Sequence, residues 1–497
     1  MSLIQQASAL LRQNQFAAEK LVRFLHHLSS QRARTPQETR AFFVAAGDWL
    51  ADGRVDDLKS LEMVRVLVAY GKVRVRHRLV MGQLGERLTR LVPIFDRPVH
   101  LANIAGTFST LRLPSPALFH AIAQRLPHFQ PTAFEPVDIS ELLQAFTRLH
   151  TNPQISHSAT VMDHLADVVR DRRDSLAGDQ IALVINAYAA VGGRKDIVRD
   201  MQGTVVKRLG GDGPSERGRE GGRRASRFFT TANLALILNS SAKAAPPDPS
   251  HEFLASVAGA LKGYAAEDFN AQSIALTCHA LSKLRFYPAD LISYLCDMVI
   301  LPSDPRPSRP SAKWGPVRSF PASSFPHHQR EEATSPTTRD PLLQSFPSQE
   351  LSNLAWAIAS FPHLHQRVMD GVVTYVERHA DKMPPLHLAM TVSAIGLYNS
   401  LAAVEHRSTV PDTFAARCLE NFRAQPDQYA SRGDLTDMMR HIAALEARLP
   451  LCDCRLAHLF FARYERCFGA LPVDGHGDDC GAVAARIRAR VEEGKDD

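Results

Sequence analysis

The chain has 497 residues, of which 45% are hydrophobic and 22% charged, a composition that excludes wholesale disorder. Its length predicts about three domains or one extended array. Seven cysteines are too few for a disulfide scaffold, so a reducing compartment is expected. The longest nearly unbroken apolar stretch, 181–191, is shorter than the about 20 residues of a membrane-spanning helix, and we expect no membrane partner.

The formal net charge is +6 and the pI is about 9.0. The first 100 residues hold 16 lysines and arginines against 9 acidic residues, so the whole basic excess is N-terminal. Arginine dominates, with 47 arginines against 11 lysines. Two explanations stay open, because guanidinium groups suit phosphates and base stacking but codon usage in a GC-rich genome gives the same ratio.

Residues 1–54 are predicted to form N-terminal helices. No apolar run of secretory-signal length follows the first cations. Residues 1–40 contain arginine and serine, have few acids and are amphipathic. This composition fits an organellar targeting helix, and a first structural helix pair is the alternative.

The main feature of the chain is an internal repeat. In segment 351–361, large apolar residues lie at positions 351, 354, 358 and 361, with a small residue at 357, which predicts one stripe of an amphipathic helix. The same pattern recurs, with decreasing fidelity, at 274–284, 181–191, 139–149, 101–111, 388–395, 61–68, 234–241 and 435–442. The small position falls at Leu67, Thr107, Ala145, Ala187, Ser240, Ala280, Ala357, Ala394 and His441. Most intervals are near 40 residues, the period of paired-helix repeats.

Each stripe is followed by a second predicted helix, for example over 365–379 and 289–301, after a short turn with proline or glycine. Alternating patterns typical of strands are nearly absent. The sequence therefore predicts an all-α fold, an α-solenoid of about nine helix-turn-helix repeats of roughly 40 residues. The repeats are predicted to occupy 55–209, 228–301 and 347–470, before a C-terminal tail over 471–497.

Two intervals are longer because each contains an insertion. Segment 210–227 is rich in glycine and arginine, and segment 302–346 is rich in proline and serine. Such compositions do not fold alone. Trp314 in the second insertion has no local core, so this segment is predicted to act as a docking arm if it is ordered.

Two groups of cations are candidate RNA contacts. Lys72, Arg74, Arg76 and Arg78 alternate along the chain and would share one face if the segment were extended, although a solvated loop is an equal alternative. The second group lies in the first insertion, where three acids oppose it. It consists of Arg217, Arg219, Arg223, Arg224 and Arg227.

Catalytic motifs are missing. The glycine-rich segment lacks the Gly-Lys-Ser/Thr of a P-loop, and neither a nucleophile elbow nor a His-Glu-x-x-His motif occurs. We therefore predict no enzyme, no catalytic residue, no cofactor and no small-molecule substrate. A C-terminal group of cysteines and histidines offers enough soft ligands for zinc, but its Cys-x-Cys spacing favours buried thiols, and no metal site is predicted. These residues are Cys452, Cys454, His458, Cys467, His476 and Cys480.

The stripe residues Asn353-Leu354-Ala-Trp356-Ala357 and Leu101-Ala-Asn-Ile104 resemble a repeat signature of organellar proteins. The signature belongs to the octotricopeptide and heptatricopeptide repeat families, which include FASTK-like and RAP-domain proteins. The terminal RAP domain is not matched, since residues 471–476 carry only a faint Val-Asp-Gly similarity. The resemblance implies an organellar, RNA-associated solenoid.

Together these features predict a non-catalytic, RNA-associated protein of an organellar ribonucleoprotein. A structural subunit of a mitochondrial ribosome, bound to rRNA and to neighbouring proteins, is the favoured form. Mitochondrial localisation is favoured over plastid. A protein–protein scaffold without RNA contact and a free organellar RNA processing or stability factor are the alternatives.

Overall fold

The structure, a computed structural model, describes residues 3–31, 36–113, 115–149, 158–192, 194–210, 228–244, 249–300, 342–361 and 365–401. Within these ranges 84% of the residues are helical, and none lies in a strand. The predicted all-α class is therefore confirmed. The arginines of the first insertion, most of the second insertion and all residues after 401 lie outside the described ranges.

The chain divides into two compact units, and the helices before residue 212 fall in the first. Short 3-10 turns precede several of these helices. The helices of the first unit are α1 (Leu3–Arg12), α2 (Ala18–Ser30), α3 (Pro36–Ala51), α4 (Ser60–Val73), α5 (Arg78–Leu91), α6 (Pro98–Thr110), α7 (Pro116–Arg125), α8 (Pro136–Leu149), α9 (Ser158–Arg172), α10 (Gly178–Val191) and α11 (Lys195–Gly210).

The second unit contains the helices after residue 228. They are α12 (Thr231–Lys243), α13 (His251–Lys262), α14 (Ala271–Lys283), α15 (Ala289–Ile300), α16 (Ser348–Ser360), α17 (Gln366–His379) and α18 (Pro385–Leu401). The bounds of α15 and α17 match the predicted second helices, 289–301 and 365–379, within one residue.

Helices in the first unit pack in two layers. In layer A, α2, α4, α6, α8 and α10 contact one another in that order, and in layer B α1, α3, α5, α7, α9 and α11 do the same. In the second unit, α14, α16 and α18 contact in order and form its layer A, while α13, α15 and α17 form its layer B. Each stripe therefore packs against the stripes of its neighbours.

An aromatic residue occupies the same buried position in four successive layer-A helices, at Tyr70, Phe108, Phe146 and Tyr188. The Tyr70 hydroxyl donates to the carbonyl of Phe43 at 2.6 Å, which ties layer A to layer B. The Tyr188 hydroxyl makes the same kind of bond to a layer-B carbonyl, at 2.9 Å.

This aromatic position corrects the register of the α4 stripe. Because Tyr70 is equivalent to Phe108, the small residue of α4 is Ala69, and the predicted Leu67 is wrong by two positions. Leu67 is instead a fully buried core residue. Thr107 and Ala145 hold the predicted small position and are buried.

A second regular feature is a buried apolar residue two or three positions ahead of a layer-A helix, which we call the anchor residue. Its carbonyl accepts a hydrogen bond from the layer-B helix of the same pair in several cases: Arg125 donates to Phe95 at 3.0 Å, and the Tyr375 hydroxyl to Phe346 at 3.1 Å. These bonds close a pair across about thirty residues. The anchor residues are Leu58, Phe95, Phe134, Leu176, Phe229, Phe269, Phe346 and Met383.

The N-terminal helices belong to the packed unit. Leu11, Leu21 and Leu25 are buried, α1 packs against α3, and α2 packs against α4. Helices α1 and α2 therefore each pack against a neighbouring helix of their own layer. Among the described helices, none is both long and apolar enough to cross a bilayer.

Candidate nucleic-acid interface

The basic segment 72–78 forms the junction between α4 and α5. Lys72 lies in the last turn of α4, Arg74 has the left-handed φ of 57°, and Arg78 is the first residue of α5. Val75 is buried, and its amide donates to the carbonyl of Tyr70 at 3.2 Å. The segment is therefore a closed helix-to-helix turn, and the extended conformation considered for it does not occur.

The four predicted cations are nevertheless available to a partner. Lys72, Arg74, Arg76 and Arg78 are all exposed, and no carboxylate of the described residues lies within ion-pair distance of them. His77, between them, is engaged: its Nε2 lies 3.0 Å from Oδ1 of Asp48, and its Nδ1 accepts from the Val80 amide. This histidine therefore holds the turn, while the cations around it point to solvent.

Arg112 occupies the same place one pair further on. It follows α6, its φ is 51°, and the next amide, that of Leu113, donates to the carbonyl of Phe108 at 2.9 Å. The bond from Val75 to Tyr70 is its equivalent after α4. Arg74 and Arg112 are thus structurally equivalent residues at the C-terminal ends of neighbouring layer-A helices.

Arg148, in the last turn of α8, joins the same group. Its half-buried guanidinium donates to Thr110 Oγ1 at 3.3 Å and to Gln144 Oε1 at 3.2 Å. Burial lowers the pKa of Arg148, and the charges of Arg74 and Arg112 lower it further. The guanidinium groups of Arg74 and Arg112, from two neighbouring pairs, therefore lie near enough to act electrostatically on that of Arg148.

The connections of the first unit differ in charge. Segments that lead from a layer-A helix to a layer-B helix contain six arginines and no acidic residue. These segments are 31–35, 74–77, 111–115, 150–157 and 192–194. Segments that lead back from layer B to layer A, from 52 onward, contain six acids and four basic residues. They are 52–59, 92–97, 126–135 and 173–177. Because helices joined by short connections run antiparallel, the described residues of the two kinds of connection lie at opposite ends of the helices.

On the exposed face of layer A, charge is weaker. Arg65 on α4 and Glu141 on α8 occupy equivalent positions. Burial raises the pKa of Glu141 to about 7, and the nearby carboxyl of Asp138 raises it as well. Burial also lowers the pKa of His26 on α2, with smaller contributions from Lys72 and Arg65. This face is therefore close to neutral at α8 and at His26 of α2, and it is positive at α4, which carries Arg65 and Lys72.

In the second unit the layer-A face is largely neutral. Arg285, with a φ of 50°, stands after α14 where Arg74 and Arg112 stand in the first unit. Trp356, which lies beside the buried stripe of α16, is only half-buried. The reason is the position of Trp356 around the helix: the buried residues Leu354 and Ile358 lie on the packed side of α16, and Trp356 lies beside that side.

Other sequence candidates give little. Arg217, Arg219, Arg223, Arg224 and Arg227, Trp314 and the C-terminal cysteine and histidine group lie outside the described residues. Burial raises the pKa of Cys278 to about 12, which makes this thiol unreactive. Within the described ranges, no group of three or more histidine, cysteine or acidic side chains is placed to hold a metal ion.

Comparison with known proteins assigns no family. No protein-family model matches the chain, and no curated protein sequence matches it. Arg112 and Arg148 are the candidate interface residues that sequence reasoning missed. The signal for Arg112 was its spacing of 38 residues from Arg74, the interval between the α4 and α6 stripes.

Proposed function

We propose that this chain is a non-catalytic, RNA-associated helical-repeat protein of an organellar ribonucleoprotein. In this proposal the stacked pairs are parts of an α-solenoid of about nine repeats, and the protein is a structural subunit of a mitochondrial ribosome that contacts rRNA and neighbouring proteins. The similarity of segment 351–361 to organellar repeat signatures supports the organellar assignment, with a plastid as the alternative compartment.

One observation carries the RNA assignment. Lys72, Arg74, Arg76 and Arg78 are exposed, share one turn and have no carboxylate partner among the described residues. Some other arginines are paired, for example Arg23 with Glu19 and Arg170 with three aspartates. Exposed arginines without an ion-pair partner, such as Arg65 and Arg90, stand singly, whereas segment 72–78 brings four cations into one turn. Unpaired cations at a rigid turn offer charge-assisted hydrogen bonds to phosphate oxygens without first breaking an ion pair.

The protein–protein scaffold remains a second candidate because of the second unit. On layer-A helices of the second unit, Leu276 and Met390 occupy partly exposed positions equivalent to those of Arg65 and Glu141 in the first unit. Leu183 on α10 of the first unit is apolar at the same position. Neutral apolar positions suit a protein neighbour better than a phosphate backbone. Both contacts are compatible with one subunit of a large particle.

Co-sedimentation tests the proposal. The full chain, tagged and expressed in cells, is expected to sediment with mitochondrial ribosomal particles and to be released by RNase. Reversal of Arg76 and Arg78 to glutamate should weaken binding to purified particles at least tenfold at about 100 mM salt, because two attractive phosphate contacts become repulsive. The matched control reverses Lys59 and Arg90, which are exposed near the opposite ends of the helices.

The outcomes separate the alternatives. A chain that sediments with particles but resists RNase and tolerates both reversals is a protein-bound scaffold. A chain that binds RNA but never sediments with particles is a free RNA factor. Equal losses in the two reversal variants would show that net charge, and not this turn, determines binding.

A further inference from the structure

We infer that Arg74, Arg112 and Arg148 form a phosphate ladder, a row of guanidinium groups that binds single-stranded RNA across successive helix pairs. The inference rests on the proposed RNA association and specifies its residues and direction. The strand crosses the ends of α4, α6 and α8, and it does not follow the basic segment 72–78 along the chain.

The backbone sets the spacing of the ladder. Arg74 and Arg112 are the residues that close equivalent helix ends, with φ values of 57° and 51°. Helices α4, α6 and α8 contact one another in order, and packed helices lie about 8–10 Å apart. The guanidinium group of Arg148 on α8 donates a hydrogen bond to Oγ1 of Thr110 on α6, and Thr110 lies two positions before Arg112. The three groups therefore follow one another at steps of roughly one helix diameter.

Electrostatics favours an anion at this place. Arg74 and Arg112 both act on Arg148, and no acid is among the charges that shift the pKa of Arg148. Thr110 and Gln144, the hydrogen-bond partners of Arg148, are neutral. Three like charges without a carboxylate repel one another in the free protein, and a bound polyanion relieves this repulsion.

A single strand fits better than a duplex. The step between guanidinium groups is set by helix packing, and a flexible strand adjusts its phosphates to that step. An A-form duplex presents phosphates at fixed positions and is recognised through its minor groove. Arginine, with its planar fork of donors, also binds phosphate in a bidentate manner.

The test measures binding of the full chain to a fluorescein-labelled 20-nucleotide oligouridine by anisotropy between 50 and 200 mM salt. The variants are Arg112→Gln and the double variant Arg74→Gln with Arg112→Gln. Arg90→Gln is the matched control, because Arg90 is exposed, lies in the last turn of α5 and has no ion-pair partner among the described residues. Arg148 is left intact because its side chain also packs between α6 and α8.

Each lost phosphate contact should reduce the salt slope of the binding constant by about 0.7. The salt slope of the double variant should therefore be smaller by about 1.4. The ratio of wild-type to variant affinity should then fall about sevenfold between 50 and 200 mM salt. Arg90→Gln should keep the wild-type slope. Thermal unfolding of all variants verifies that they fold.

Four results would overturn the ladder. If the wild-type chain binds the strand but Arg112→Gln keeps its slope, the ladder is wrong while RNA association stands. If the wild-type chain binds no RNA, the proposed function fails and the ladder with it. Equal competition by a duplex of the same length refutes the single-strand assignment. Equal competition by polyglutamate at matched charge identifies a docking surface for acidic protein.

Discussion

Replacing Glu141 by glutamine should make the protein more stable above neutral pH. Glu141 lies on α8, where burial raises its pKa to about 7 from an ordinary value of 4.5. Between these two values the folded chain binds more protons at this site than the unfolded chain. The free energy of unfolding therefore falls as pH rises through this window. Glutamine does not ionise and removes this loss.

The size of the effect follows from the shift. A displacement from 4.5 to about 7 corresponds to about 3 kcal/mol for a fully buried group. The Glu141 side chain retains some contact with solvent, so we expect roughly half of this, about 1–2 kcal/mol, at pH 8. Near pH 4.5 the variant and the wild type should be equally stable, because the carboxyl is then protonated in the folded state.

Urea unfolding at pH 5, 6, 7 and 8 measures this difference. Glu86→Gln is the control, since Glu86 is exposed on α5 and its replacement should change stability little at any of these pH values. If Glu141→Gln is no more stable than the wild type at pH 8, or if its advantage is the same at pH 5, the carboxyl is not held in an unfavourable environment and the reasoning is refuted.

Two further predictions concern the packing of pairs. Gly47→Ala should destabilise the fold by about 1–3 kcal/mol, because an added Cβ would lie 2.4 Å from the ring of His77. The control Gly82→Ala, with open space around the added Cβ, should be neutral or slightly stabilising. Thermal unfolding of both variants measures this difference, and equal effects would contradict the prediction. Tyr375→Phe should cost about 1–2 kcal/mol in urea unfolding, because the buried Phe346 carbonyl loses its donor, and an unchanged stability would show that this bond does not close the pair.

The helices could be predicted from the sequence because the stripes are regular. In α16, Leu351, Leu354 and Ile358 are buried as the period of 3.6 requires. In α4 the predicted register was wrong by two positions, because the run from Leu61 to Val68 is apolar at six of eight positions and fits more than one register. The aromatic Tyr70 resolves the register only when its equivalence to Phe108 is known from packing.

The anchor residues and the ladder could not be predicted in the same way. An anchor such as Phe229 is a single apolar residue in a connection, and its role depends on a layer-B helix about thirty residues later. Arg112 is likewise a lone arginine in its local sequence, and Arg148 looks like a surface residue of a helix. Both join Arg74 only through the stacking of α4, α6 and α8.

Arginine abundance by itself argues little for RNA, because much of it is structural. Arg125 and Arg208 donate to carbonyls of anchor residues or their neighbours, and Arg194 pairs with aspartates. Arg74 and Arg112 differ, since a left-handed residue costs about 1–2 kcal/mol unless it is glycine, and Gly192 fills the equivalent position after α10. The backbone amides of both arginines donate to carbonyls of the preceding helical turn, but neither guanidinium group makes a hydrogen bond or an ion pair within the described residues. A codon bias explains why a cation there is arginine, but not why a cation occupies a strained position without an internal partner. In the proposed ladder a bound phosphate would supply the missing partner, since backbone strain of this kind is often found at residues that serve a ligand.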